Sequence, residues 1–138
     1  MHQPSFVLQQ HLTEGREVIM GVKGNDGVAS TLMFGLGGIF VETIKDVQFR
    51  LAPLSQPEAL DMIGSIKGFP ILKGARGTKP ADISKLAEIL IRLSQLSSDI
   101  PELDEMDLNP VFVFEEGKGA AVVDARLKLK ELKQNKKS

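Results

Sequence analysis

Residues 105–124 constrain the fold of this chain more than any other stretch. EMDLNPVFVFE (105–115) and AAVVD (120–124) are two extended runs separated by Glu116-Gly117-Lys118-Gly119, a turn whose glycines accept positive φ. Alternation along the first run puts Met106, Leu108, Phe112 and Phe114 on one face and Asp107, Asn109, Val111 and Val113 on the other. With Glu116-Gly117 as the two turn residues, Glu115 faces Lys118, and counting outward sets Asn109 opposite Asp124. Directly opposed residues hold their Cβ atoms about 4.5–5.5 Å apart. An amide oxygen and a carboxylate at that separation can share one cation, and Mg²⁺ is commonly held by one or two such hard oxygen donors plus substrate phosphates. The same residues also suit the wet side of an edge hairpin, and spacing alone leaves both readings open.

The rest of the chain supplies enough sequence for one core. It has 138 residues, 42% hydrophobic and 25% charged, with a formal net charge of −1. A charge so near zero gives no basic field for nucleic acid, and the locally basic end, Lys128 to Lys137, reads as a terminus. Cysteine is absent, which removes disulfides and thiolate metal sites. No apolar run approaches a membrane span and no signal-peptide pattern opens the chain. The expectation is a cytoplasmic protein with neither membrane nor nucleic-acid partners.

In chain order, residues 5–10 read as a short strand and 16–23 as a second, with Val18, Met20 and Val22 on one side. Gly24-Asn25-Asp26-Gly27 is a hairpin turn, and residues 28–34 return antiparallel. Residues 46–53 form a strand halted by Pro53. Ser55 opens a helix with the capping-box pattern Ser55-Gln-Pro-Glu58; it ends near Lys67-Gly68, with Pro70 as a stop. A cationic loop at 73–80 leads to Asp82, which caps the longest helix, through about Ser97. Residues 125–132, with Leu127, Leu129 and Leu132, suit a short terminal helix. Strands outnumber helices, so the fold class is α+β: an antiparallel-rich sheet with helices packed on one side. No catalytic triad can be assembled, and both histidines, His2 and His11, lie near the start.

GLGGIFVE (35–42) places three glycines in four positions between apolar strands. It matches neither standard nucleotide-binding glycine motif. Close backbone approach to an anion and a glycine-softened bulge or strand corner are both compatible with it.

The segments GREVIMGVKGN, LMFGLGGIFVETIKDVQFRLAPL, ILKGARG and EMDLNPVFVF followed by AAVVDARL together resemble the carboxyl-terminal part of the ATP-grasp domain of ADP-forming acyl-CoA synthetases, in particular the acetyl-CoA synthetase β subunit. The resemblance covers nearly the whole chain, in order. It implies a ligase in which acyl-CoA, ADP and phosphate exchange with the acid, CoA and ATP through a phosphohistidine. The Asn-Pro strand and following Asp that hold Mg²⁺ in the related succinyl-CoA synthetase β subunit match Asn109 and Asp124. The family's nucleotide-contacting positions match Gln9, Leu12 and Glu17, and its glycine loop matches Gly35, Gly37 and Gly38, followed by Glu42. The cofactor and substrate implied are Mg²⁺ and ATP or ADP. On this resemblance residues 1–138 form the carboxyl-terminal part of the domain, without the amino-terminal subdomain. The implied partners are that amino-terminal half and a CoA-binding subunit, and an exposed hinge face would favour a homo-oligomer. A different outcome, a noncatalytic ATP-grasp-like regulatory or assembly module, is the alternative that the resemblance also carries.

Overall fold

The structure, a computed structural model, describes residues 16–26, 28–37 and 46–131. The expected strand at 5–10 lies outside them. Among the described residues three strands come first: β1 (Arg16–Asn25), β2 (Val28–Leu36) and β3 (Val47–Leu51). Two helices follow, α1 (Gln56–Gly64) and the short α2 (Phe69–Lys73), then a 3₁₀ turn at Ala75–Gly77 and the long α3 (Ile83–Asp99). The described residues finish with β4 (Leu103–Val113), β5 (Ala120–Val122) and β6 (Ala125–Leu129). All pairings are antiparallel, in the order β3-β2-β1-β4, with β5 and β6 both on the far side of β4.

Local chemistry explains the element boundaries. At α1 the Ser55 hydroxyl accepts the Glu58 amide at 3.3 Å and the Glu58 carboxylate accepts the Ser55 amide at 2.8 Å, so both arms of the capping box are made. The helix stops at Gly64, earlier than the sequence pattern predicts. Pro70 opens α2 and stops nothing, because a residue in the first turn of a helix has no intrahelical partner for an amide hydrogen. Asp82 caps α3 by accepting the Lys85 amide.

Val18, Met20 and Val22 of β1, with Leu32 and Phe34 of β2, are 0–2% exposed and pack under Met62 and Ile63 of α1 and Leu86 and Leu90 of α3. One face of the sheet is therefore sealed by helices. Burial of each such side chain stabilises the fold by about 1.5–3 kcal/mol before entropy is counted. The buried Ser94 hydroxyl on α3 accepts the Leu54 amide at 3.0 Å, so this polar group enters the core with a partner.

Two strand readings need correction. Val111 and Val113 do not share a face with Asp107 and Asn109; both are fully buried on the helix side with Leu108. The reason is a β-bulge: Val18 pairs Val111 but Met20 pairs Leu108, so Ile19 alone faces Asn109 and Pro110. Proline has no N–H to give the ladder, and the alternation reverses there. Residues 125–129 are strand β6 and not a helix. Leu127 and Leu129 alternate with Arg126 and Lys128, a period of two, and the strand supplies β4 with an outer partner along its first half.

Candidate functional site

The turn behaves as the sequence predicts. The Lys118 amide donates to the Glu115 carbonyl at 2.9 Å, and Gly117 takes φ 87°. From there one register runs outward without a slip: Val113 opposite Ala120, Val111 opposite Val122, the Asn109 amide donating to the Asp124 carbonyl at 3.0 Å, then Leu108 opposite Ala125 and Asp107 opposite Arg126. Asn109 and Asp124 are thus directly opposed. They line a cavity of about 350 Å³ together with Ile19, Met20, Met33, Asp107 and Arg126. This cavity opens on the face of the sheet turned away from the helices, and the bulge at Asn109-Pro110 is what lets Asn109 point there while Val111 returns to the core.

The cavity is chemically uneven. Burial, then a hydrogen bond and charge repulsion with Glu105, push the Asp107 carboxyl above its ordinary range, against the opposing pull of Arg126 and Lys23. Among the described residues no three His, Cys, Asp or Glu side chains are grouped to hold a metal by themselves. The donor set at Asn109 and Asp124, one amide oxygen and one carboxylate, fits Mg²⁺ of the kind completed by water and substrate phosphate.

The other residues singled out from the sequence are placed unequally. Gln9, Leu12, Gly38 and Glu42 lie outside the described residues. Glu17, on β1, stands two positions before Ile19 and so on the same face of the sheet, but it does not line the cavity. Its carbonyl accepts the Gly37 amide at 2.8 Å, and a Cβ at Gly37 would lie 3.2 Å from the Glu17 backbone. Gly35 sits inside β2 opposite Ile19, where a Cβ would come within 2.7 Å of the Asp46 carbonyl, just before the neighbouring strand β3. A close strand-to-strand approach explains that glycine. Arg126 was not singled out by the sequence, because a helix over 125–132 hides its relation to Asp107. Its signal was available in the alternating run AVVDARLKL, which places Arg126 two residues beyond Asp124.

Comparison with known proteins bears on this geometry. The model of the ATP-grasp domain matches residues 2–129. The chain belongs to the ATP-grasp domain family. Within it, the chain is 52% identical over 120 residues to the acetate–CoA ligase (ADP-forming) II subunit beta of Pyrococcus furiosus, a match covering 86% of this chain and 51% of that one. Identity is also 52%, over 115 residues, with the 4-hydroxybutyrate–CoA ligase (ADP-forming) of Nitrosopumilus maritimus, covering 83% of this chain and 16% of that longer one. A solved structure of the dinucleotide-forming acetyl-coenzyme A synthetase 1 of Ca. Korarchaeum cryptofilum superposes with a TM-score of 0.78 at 44% identity, covering 84% of this chain and 54% of that one. That protein was captured with coenzyme A and Mg-AMPPCP, its phosphohistidine segment pointing towards the nucleotide-binding site. This ATP-grasp chain spans about half the length of the β subunit it matches, and a smaller share of the multidomain enzymes. No helix among its described residues is long and apolar enough to cross a membrane.

Proposed function

We propose that this chain is the nucleotide- and Mg²⁺-binding part of a cytoplasmic ADP-forming acyl-CoA ligase, an enzyme exchanging acyl-CoA, ADP and phosphate with acid, CoA and ATP through a phosphohistidine. The observation that carries the reading is the direct opposition of Asn109 and Asp124 on the sheet face turned away from the described helices. Its relatives among ADP-forming ligases support the same reading.

In this reading Asn109 and Asp124 would hold the metal, and Glu17, Gly35 and Gly37 belong to the nucleotide side of the site, with Gln9, Leu12, Gly38 and Glu42 as further contacts. A Mg²⁺ held there would supply neutralisation of charge on substrate phosphate oxygens. The chain's own contribution is positional: the unbroken hairpin register fixes the two oxygen donors, and the helix-backed sheet keeps them rigid. An amino-terminal half of the ATP-grasp clasp and a CoA-binding subunit complete the enzyme. The retained oxygen pair favours this function over a noncatalytic module.

The test is calorimetric titration with ATP, with and without Mg²⁺, of the protein joined by its complementary ATP-grasp half, repeated on Asn109→Ala and Asp124→Ala. Mg²⁺-dependent binding in wild type that both variants lose is the expected result. Binding that ignores Mg²⁺, or variants that keep the dependence, would reject the site.

A further inference from the structure

The guanidinium of Arg16 donates to the Ile71 carbonyl at 2.9 Å and to that of Lys79; Arg50 pairs with Asp61 at 3.1 Å, and Arg92 with Glu88 at 3.1 Å. Arg126 makes no direct hydrogen bond or ion pair among the described residues, and only the longer-range pull of its charge on Asp107 is seen. This is not for want of an acid, since Asp107 is its directly opposed neighbour on β4. Both side chains line the cavity that Asn109 and Asp124 also line, and Arg126 is the one cation among its described lining residues. A guanidinium facing a carboxylate across a ladder ordinarily closes on it, because the paired fork is a favourable geometry. Here it stays open over a cavity that already offers two metal-type oxygen donors.

Position gives the open cation a specific reach. Arg126 follows Asp124 by two residues, about 7 Å along an extended strand, with both side chains on one face. A phosphoryl group lying on the Arg126 side of the Asn109–Asp124 pair is within range of this long side chain, one step further along the strand. Phosphoryl transfer spreads charge over three equatorial oxygens, which a planar guanidinium meets with two parallel N–H donors.

We propose that Arg126 grips the terminal phosphoryl group of a nucleotide bound at Asn109 and Asp124. The inference rests on the function proposed above and adds to it a phosphate contact from the outer strand β6. A cation that merely solvates the sheet edge is the competing explanation. It is the lot of Lys128 on the same strand, 3.9 Å from Asp104 with its side chain 72% exposed.

The experiment is calorimetric titration of Mg-ATP and Mg-ADP into the same assembled protein, wild type, Arg126→Met and Arg126→Lys, with thermal melts to check that all three fold equally. Loss of a charge-assisted phosphate contact predicts that Arg126→Met weakens ATP roughly ten- to hundredfold and ADP much less, so the preference for ATP over ADP collapses. Arg126→Lys, which keeps a point charge without the fork, should fall between. Equal affinities in all three proteins, or equal losses for both nucleotides, would overturn the role of Arg126 while leaving the nucleotide site in place. If wild type binds neither nucleotide, the site itself is wrong and the Arg126 contact is rejected with it.

Discussion

Asp82 ties the start of α3 to the turn of the site hairpin: its carboxylate accepts the Gly119 amide at 2.8 Å through Oδ2 and the Lys85 amide at 3.2 Å through Oδ1. The carboxylate is both helix cap and turn anchor, and the Asp82 residue is only 8% exposed. The register that opposes Asn109 to Asp124 is counted from that turn, so the helical layer holds the site hairpin at its tip.

Asp82→Ala should therefore cost more than an ordinary helix cap. Two amides lose a charged acceptor, and about 1–3 kcal/mol of stability goes with them. Asp82→Asn keeps one oxygen acceptor and should lose less. Urea unfolding of the two variants checks this; an Ala variant as stable as wild type would show that water replaces the carboxylate without penalty.

Gly35→Ala should be destabilising for a reason unconnected with ligands. The added methyl would sit 2.6 Å from Val47 Cγ1 and 2.7 Å from the Asp46 carbonyl, so β2 and β3 must move apart, at about 1–3 kcal/mol. Gly21→Ala offers the contrast. Its nearest obstacle, at 2.8 Å, is the end of the Asp107 side chain, which can swing away, and the one close backbone atom, the Met106 carbonyl, is farther at 3.2 Å, so stability should fall less while the cavity wall is disturbed. Denaturant midpoints for the two variants decide between backbone and side-chain obstruction.

These positions show how far the sequence could be read. The hairpin register was legible because a two-residue turn fixes the count, and the pairs outward from Glu115 and Lys118 follow from it as far as Glu105 and Lys128, beyond which the register shifts by one at Leu103. The faces of β4 were legible only up to Asn109. Pro110 lacks the ladder N–H, and whether the strand bulges there depends on β1, nearly a hundred residues earlier in the chain. The misreading of β6 has a different origin: Leu127, Leu129 and Leu132 satisfy a short helix as well as a strand, and only the need of Leu103 to Leu108 for an outer partner settles it. Arg126 became visible as a site residue only with that strand in place.

Asp46 links the strand layer to the helices through its side chain. The carboxylate accepts the Lys67 amide at 2.7 Å and the Gly68 amide at 2.6 Å, while the Asp46 carbonyl accepts the Leu36 amide at 3.3 Å. Asp46→Ala keeps the carbonyl contact and removes the other two, so it should lower stability by about 1.5–3 kcal/mol. Hydrogen exchange at Lys67 and Gly68 should rise with it. Unchanged protection at both amides would contradict the account.

Glu58 gives the fold a defined acid response. Its carboxyl is held below its ordinary range, first by the hydrogen bond from the Ser55 amide and then by that from the Ser55 hydroxyl. The depressed folded value means that the ionised form is favoured by folding. Its stabilising effect is complete above the unfolded value of about 4.3 and disappears as pH falls through the lower folded value. Glu58→Gln keeps an oxygen for the Ser55 amide but carries no charge, so it mimics the protonated state at every pH. Wild type should melt above Glu58→Gln at pH 7, and the gap should close as the pH drops below about 4. Thermal melts of both proteins between pH 7 and pH 3 test this directly. A gap that stays constant over that range would mean that the amide and carboxylate cap α1 equally well and that charge contributes nothing at this helix start.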